Sequence, residues 1–260
     1  MTKRKILIHF VVVFIMMIQS SAYAQNTITK VAYKEYFDTD RPIQRSAYLY
    51  TDGETSIYEQ DLKSAEPLRK RETDENTVTV LPNIKYNAQI KTDHTQKQTY
   101  FFGQLSKNDF YLIEDNYISH NWKLSRESKV IAGYKCHKAT REFRGRKWIV
   151  WYAPELNFSA GPWKLYGLPG LILEAHDETR RYTFLAEKIT FEKSDILDKD
   201  FTSFRNEKLK SATLKDFLNM QESSREAAVS RLSDRRGSIQ TTSFSRSGIE
   251  LIYEWEESSE

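Results

Sequence analysis

The chain has 260 residues, 29% of them Asp, Glu, Lys or Arg, and a formal net charge of +3. Three of the basic residues, Lys3, Arg4 and Lys5, open the chain, and without them Lys and Arg only equal the 36 Asp and Glu. Net charge thus gives no support for nucleic-acid binding, and the lone Cys136 excludes an intramolecular disulfide.

After the basic start comes an apolar run, Ile6–Ile18, and then the small residues Ser20, Ser21, Ala22 and Ala24. That order reads as a secretory signal, cleaved between Ala24 and Gln25. The run falls short of the about 20 apolar residues that span a bilayer. No cysteine lies near the cleavage point, so a lipoprotein is not expected. Residues 25–260 are expected to form a single β-rich domain, periplasmic or secreted from a Gram-negative bacterium, with no transmembrane anchor.

Tyr, Phe and Trp are abundant beyond that point while Gly and Pro are sparse, a composition that favours strands. A strand is expected over Ile28–Phe37, then a hairpin of Ala47–Tyr50 and Thr55–Glu59 about Asp52-Gly53, a pair that tolerates positive φ. Gln60–Asn76 and Asn87–Gln98 read as polar inserts on either side of a short strand at Val78–Leu81. Further strands follow at Thr99–Gly103, Asp109–Glu114, Trp122–Ser125, Tyr134–Phe143 and Lys147–Tyr152, the last two joined by a tight turn at Arg144-Gly145-Arg146. Leu171–His176 and Tyr182–Thr190 come next, joined by Asp177–Arg180.

Thr213 and Asp216 fit a capping box. Leu214, Phe217, Leu218, Ala228 and Leu232 then recur at helical spacing, giving an amphipathic helix over 213–233. A linker is expected over 234–247. In 249–256, Ile249, Leu251, Tyr253 and Trp255 alternate with Glu250, Glu254 and Glu256, as in a terminal strand with one wet face. The fold class expected is mainly β (α+β), a curved antiparallel sheet or open barrel with one helix near the C-terminus.

The most unusual stretch is 161–172, where Gly161, Pro162, Gly167, Pro169 and Gly170 crowd among apolar residues. Fixed φ at proline and free φ at glycine make this a rigid connection that folds back onto the sheet. Gly167, Leu168, Pro169, Gly170, Leu171 and Ile172 spell GLPGLI, and the chain here resembles the GLPGLI family of exported Bacteroidetes proteins. The flanks carry the same likeness: Ile131–Cys136, Lys138-Ala139, Phe143–Arg146, Trp151-Tyr152 and Gly161-Pro162. The resemblance implies no catalytic residues. It implies an envelope setting, with an outer-membrane receptor or transport protein as a partner. The strand rhythm also resembles lipoprotein carriers, at the level of fold analogy alone.

Two readings of function follow. In the first, the protein is a non-enzymatic carrier or accessory module without a cofactor. Tyr111, Trp148, Val150, Tyr152 and Trp163 would line an apolar concavity for a hydrophobic or peptide ligand, and Leu165–Leu168 would form an exposed patch for an envelope partner. The alternative is a metal-binding or hydrolytic enzyme using His137, Glu174 and His176, since imidazole and carboxylate are common ligands and acid–base groups. Against it, neighbours on a strand face opposite ways, so Cys136 and His137 cannot share an ion without a bulge. Ile172, Glu174 and His176 are expected on one strand face. Cys136 reads as a small buried hydrophobe, and His94 and His120 as exposed.

Overall fold

The structure, a computed structural model, describes residues 27–68, 86–119, 121–206, 208–236, 246 and 248–256. The signal segment 1–24, its cleavage point, the strand at Val78–Leu81, His120 and most of the linker lie outside the described residues.

Among the described residues, thirteen strands form one large, curved, unclosed sheet. In chain order they are β1 (Thr27–Phe37), β2 (Ile43–Thr51), β3 (Thr55–Gln60), β4 (Glu66–Pro67), β5 (Ala88–Asp93), β6 (Gln98–Ser106), β7 (Asp109–Asn116), β8 (Lys123–Ile131), β9 (Tyr134–Phe143), β10 (Arg146–Ala153), β11 (Leu171–Asp177), β12 (Tyr182–Lys193) and β13 (Leu209–Thr213). Their spatial order is β13-β7-β6-β5-β3-β2-β1-β12-β11-β10-β9-β8, with β4 beside β2. Every pair is antiparallel except β13 with β7. The described residues include one α-helix, α1 (Leu214–Arg236).

Alternation builds the core. Along β1, Thr29, Val31, Tyr33 and Glu35 are buried while Lys30, Ala32 and Lys34 lie on the other face or are part-exposed. In β10, Trp148, Val150 and Tyr152 turn inward, against Leu171, Ala175 and Phe184 of the neighbouring strands. Bulges interrupt the ladders at Ala32/Tyr33, Trp151/Tyr152 and Leu124/Ser128 and bend the strands. Arg144 and Gly145 both hold positive φ (+49° and +76°), the pair a right-twisted two-residue hairpin needs.

Three sequence-based expectations change, and one strand is unanticipated. The polar insert at 87–98 is largely strand: β5 pairs with β3 and β6, and its buried Gln89 donates to Glu59 at 2.6 Å. Polar side chains that satisfy each other across strands do not need a loop. The short parallel strand β13 has no signature in its LKSAT sequence. Helix α1 has its capping box, with Asp216 N donating to Thr213 Oγ1 at 3.2 Å, but among its described side chains only Leu214 and Phe217 are buried, and Ala228 is exposed. The expected terminal strand 249–256 is irregular. Leu251 N donates to Arg144 O at 2.9 Å, so the segment caps the β9–β10 turn instead of extending an edge.

Candidate functional site

The residues expected to line an apolar concavity fill a core instead. Trp148 and Val150 are inaccessible, Tyr152 and Trp163 are buried, and Trp148 meets Trp163 at 5.4 Å between ring centroids. Tyr111 lies in a different cluster, edge-on to Phe217 of α1. Leu165 and Leu168 are also buried, so no exposed patch forms there. The 161–172 segment does fold back onto the sheet. Gly167 and Gly170 hold φ of +89° and +152°, and a Cβ on Gly170 would meet Ala153 O at 2.4 Å.

The bulge at Trp151/Tyr152 separates His137 from the other two residues of the metal or hydrolytic alternative, Glu174 and His176. Tyr152 pairs with His137 and Ile172, whereas Trp151 pairs with Glu174. Adjacent residues face opposite ways, so Glu174 lies on the face opposite to both His137 and Ile172. Glu174 accepts a 2.6 Å bond from Lys129, whose ammonium lies 4.3 Å from the Trp151 ring centre. His176, on the same face as Glu174, is buried with Nδ1 2.9 Å from Asp177 O, and burial lowers its pKa. Among the described residues no group of three His, Cys, Asp or Glu is placed to hold a metal. Cys136 is buried, and burial pushes its thiol up to about 11, which leaves little thiolate at neutral pH.

Two other polar constellations emerge. The first is a buried ionic core. Arg144 donates from Nη1 and Nη2 to the two oxygens of Asp115, at 2.9 and 2.7 Å, and Lys164 Nζ lies 2.6 Å from Asp115. Glu250 bonds both Arg144 and Lys164, and Glu254 accepts from Arg144 Nε at 2.9 Å. Burial raises the Asp115 pKa, but the Lys164 charge and the Arg144 bonds outweigh it and hold the carboxyl below its ordinary value. A carboxylate so engaged is a poor proton acceptor.

The second lies where β3 begins and β5 and β7 end. Ser56 Oγ is 3.1 Å from His94 Nε2, and His94 Nδ1 is 3.3 Å from the Tyr117 hydroxyl. Tyr117 stacks on Tyr166, whose ring stands edge-on to His94. The pairing Ser56↔Thr92 brings the hydroxyl beside the turn that carries His94, and His94 N is tied to Glu54 O at 2.8 Å. His94 is thus half-buried, not exposed as its polar surroundings imply, and burial lowers its pKa. A hydroxyl, a neutral imidazole and a third group on the far ring nitrogen are the parts of a nucleophile–base pair. Sequence reasoning misses this group because 38 residues separate Ser56 from His94 and only sheet pairing joins them.

A half-open depression of about 340 Å³ lies toward the other edge of the sheet, at β8–β10, lined by Asn121, Lys123, Thr140, Arg141, Glu142 and Lys147.

A long, curved, mainly antiparallel sheet with one described helix defines a β-rich fold class. Residues 70–216 match the family described as N-glycanase peptide, N-terminal domain, and the chain belongs to that family. Among solved structures the chain is similar to PNGF-II in its P21 crystal form, at 19% identity and a TM-score of 0.55, over 77% of this chain and 34% of that one. The C2 form of PNGF-II gives 18% identity and a TM-score of 0.54 over the same shares. The chain therefore spans about a third of the length of PNGF-II, and at this identity the likeness is one of fold. No curated protein matches the chain.

The family match corrects the resemblance to the GLPGLI family. It spans 70–216 and takes in the whole six-residue stretch on which that resemblance rested. In the fold those six residues serve packing: two positive-φ glycines and buried leucines close one corner of the sheet. The match also corrects the carrier reading, since the family is described as a domain of an N-glycanase, and the residues chosen for a carrier cavity are packed core.

Proposed function

We propose that the chain acts in the hydrolytic cleavage of N-linked glycans, and that Ser56 and His94 are its reacting pair. The observation that carries the first part is the match of residues 70–216 to the N-glycanase N-terminal domain family. The second part rests on geometry. Asp115 is held by two cations and Glu174 by Lys129, whereas His94 is kept neutral by burial and touches a hydroxyl. The bond joining an N-glycan to asparagine is an amide, so its hydrolysis is an acyl transfer. In this reading Ser56 Oγ attacks the amide carbon as its proton passes to His94 Nε2. That proton then goes to the departing sugar amine, and water releases the aspartate by the reverse route. Export through the 1–24 segment belongs to the same proposal and would place the activity outside the cytoplasm, where glycoproteins are met.

The test is incubation of the full chain with an N-glycosylated peptide, followed by mass spectrometry. Cleavage gives a free glycan and a peptide in which the carrier asparagine has become aspartate. Release abolished by Ser56→Ala and His94→Ala, with the fold intact, supports the pair. Release untouched by both removes it.

A further inference from the structure

We infer that Tyr117 is a positioning residue for His94: its hydroxyl oxygen takes the Nδ1 proton and so turns a bare Nε2 to Ser56. Its part in catalysis rests on the N-glycan reading above; the place of the proton on the ring does not. The matching of donors to acceptors fixes that place. A neutral imidazole, favoured here by burial, bears its hydrogen on one nitrogen and a lone pair on the other. Ser56 is buried, and among the described residues its hydroxyl has His94 Nε2, at 3.1 Å, as its one hydrogen-bond partner. With the hydrogen on Nε2, the serine oxygen would accept and its own O–H would stay buried without an acceptor, a costly arrangement. With the hydrogen on Nδ1, every donor is used. Ser56 donates to Nε2, and Nδ1 donates to Tyr117 Oη at 3.3 Å. Tyr117 is half-buried and burial raises its pKa, so the phenol keeps its own proton and can give it to solvent.

No carboxylate takes this place beside Nδ1. Asp52 and Asp93 are the two negative charges that bear on His94. Asp52 Oδ1 accepts from Glu54 N and Thr55 N at 2.9 and 2.8 Å, and Asp93 Oδ1 accepts from Thr95 N and Gln96 N at 3.0 and 2.7 Å. Each closes its own turn, as Asp side chains do. Tyr117 is in turn held by the 161–172 connection. Its ring stacks on Tyr166 with centroids 4.6 Å apart, and Tyr166 stands edge-on to His94 at 5.4 Å. The Tyr166 hydroxyl accepts from Ile118 N at 2.9 Å, and its carbonyl accepts from Trp122 Nε1 at 2.8 Å, so the chain after Tyr117 is pinned at two points. The glycine- and proline-rich connection thereby has a use beyond packing: it sets the ring that sets the imidazole.

The test is ¹⁵N NMR of the full chain labelled at histidine, without substrate and at a pH well above the ordinary histidine range. Protonated and bare ring nitrogens resonate far apart, and His94→Gln assigns the signals. The inference predicts that His94 holds its proton on Nδ1 and that Ser56→Ala leaves it there. Tyr117→Phe, which keeps the stacked ring and removes only the hydroxyl, should shift the proton toward Nε2 without moving the melting temperature. In glycan release the same variant should lower kcat about tenfold with KM unchanged, the scale of one neutral hydrogen bond. A proton on Nε2 in the unaltered chain, or one that stays on Nδ1 in Tyr117→Phe, overturns the inference. So does a Tyr117→Phe protein that releases glycan at the full rate. If the unaltered chain releases no glycan while the ring proton behaves as predicted, the N-glycan reading fails and the positioning of His94 by Tyr117 stands.

Discussion

Arg144 grips both carboxylate oxygens of Asp115 at 2.9 and 2.7 Å, with both side chains sealed from solvent. The two residues come from separate hairpins, and Lys164 and Glu250 bring two further segments to the same point. Four parts of the chain thus meet at one charge cluster. A bidentate guanidinium–carboxylate pair fixes geometry as well as charge, so this cluster specifies how the 161–172 connection and the 249–256 segment dock.

Removing one partner of such a buried pair leaves the others uncompensated. Asp115→Asn is expected to cost about 3–5 kcal/mol of folding stability, read as a lower urea midpoint. Asp109→Asn, which breaks an exposed pair with Lys210, should leave the midpoint in place. Equal effects of the two substitutions would show that the buried cluster holds nothing together.

Acid should destabilise the protein in two stages. Burial lowers the pKa of His94 and His176 in the folded state, so below the unfolded value of about 6.5 the unfolded chain takes up more protons. Stability is therefore full above that pH and falls as pH drops toward the lower folded values. Asp115, also depressed, adds a second loss below about 3.9. Thermal melts from pH 8 to pH 3 should show a decline that starts near neutrality. In His94→Gln plus His176→Gln the decline should begin only in the carboxylate range.

Glycine is required at some turns for space and at others only for its backbone. Gly170→Ala would press a methyl to 2.4 Å from the Ala153 carbonyl oxygen and force a positive φ, whereas Gly133→Ala meets nothing within 4 Å. The Gly133 variant should lose only about 1–2 kcal/mol for the left-handed conformation, and the Gly170 variant clearly more, measured by the same denaturation. A Gly170→Ala protein as stable as Gly133→Ala would mean that the corner rearranges freely.

Ser56→Ala and His94→Ala are expected to lower glycan release by about 10²–10⁴-fold each. Because the two residues act as one unit, the double variant should be scarcely worse than either single one. Multiplying losses would instead indicate two independent structural effects.

The sequence makes most of the sheet legible, because period-two burial and turn residues are local signals. β1, β9 and β10 fall within a residue or two of expectation, and so does the Arg144-Gly145 turn. What stays hidden depends on distant partners. Gln89 looks like loop until Glu59 is known to face it. The carboxylates of Glu250 and Glu254 look like a wet strand face until Arg144 is placed beneath them. A bulge at Trp151/Tyr152 leaves no mark in composition, yet it turns Glu174 away from His137. The Ser56–His94 pair exists only because β3 and β5 lie side by side.

Hydrolysis of N-linked glycans is tested by mass spectrometry of an N-glycopeptide incubated with the full chain in ¹⁸O-labelled water. Hydrolysis yields a free glycan and a peptide whose former glycosylated asparagine is an aspartate bearing one ¹⁸O. An intact glycopeptide after prolonged incubation, under conditions where the chain is folded, would contradict it.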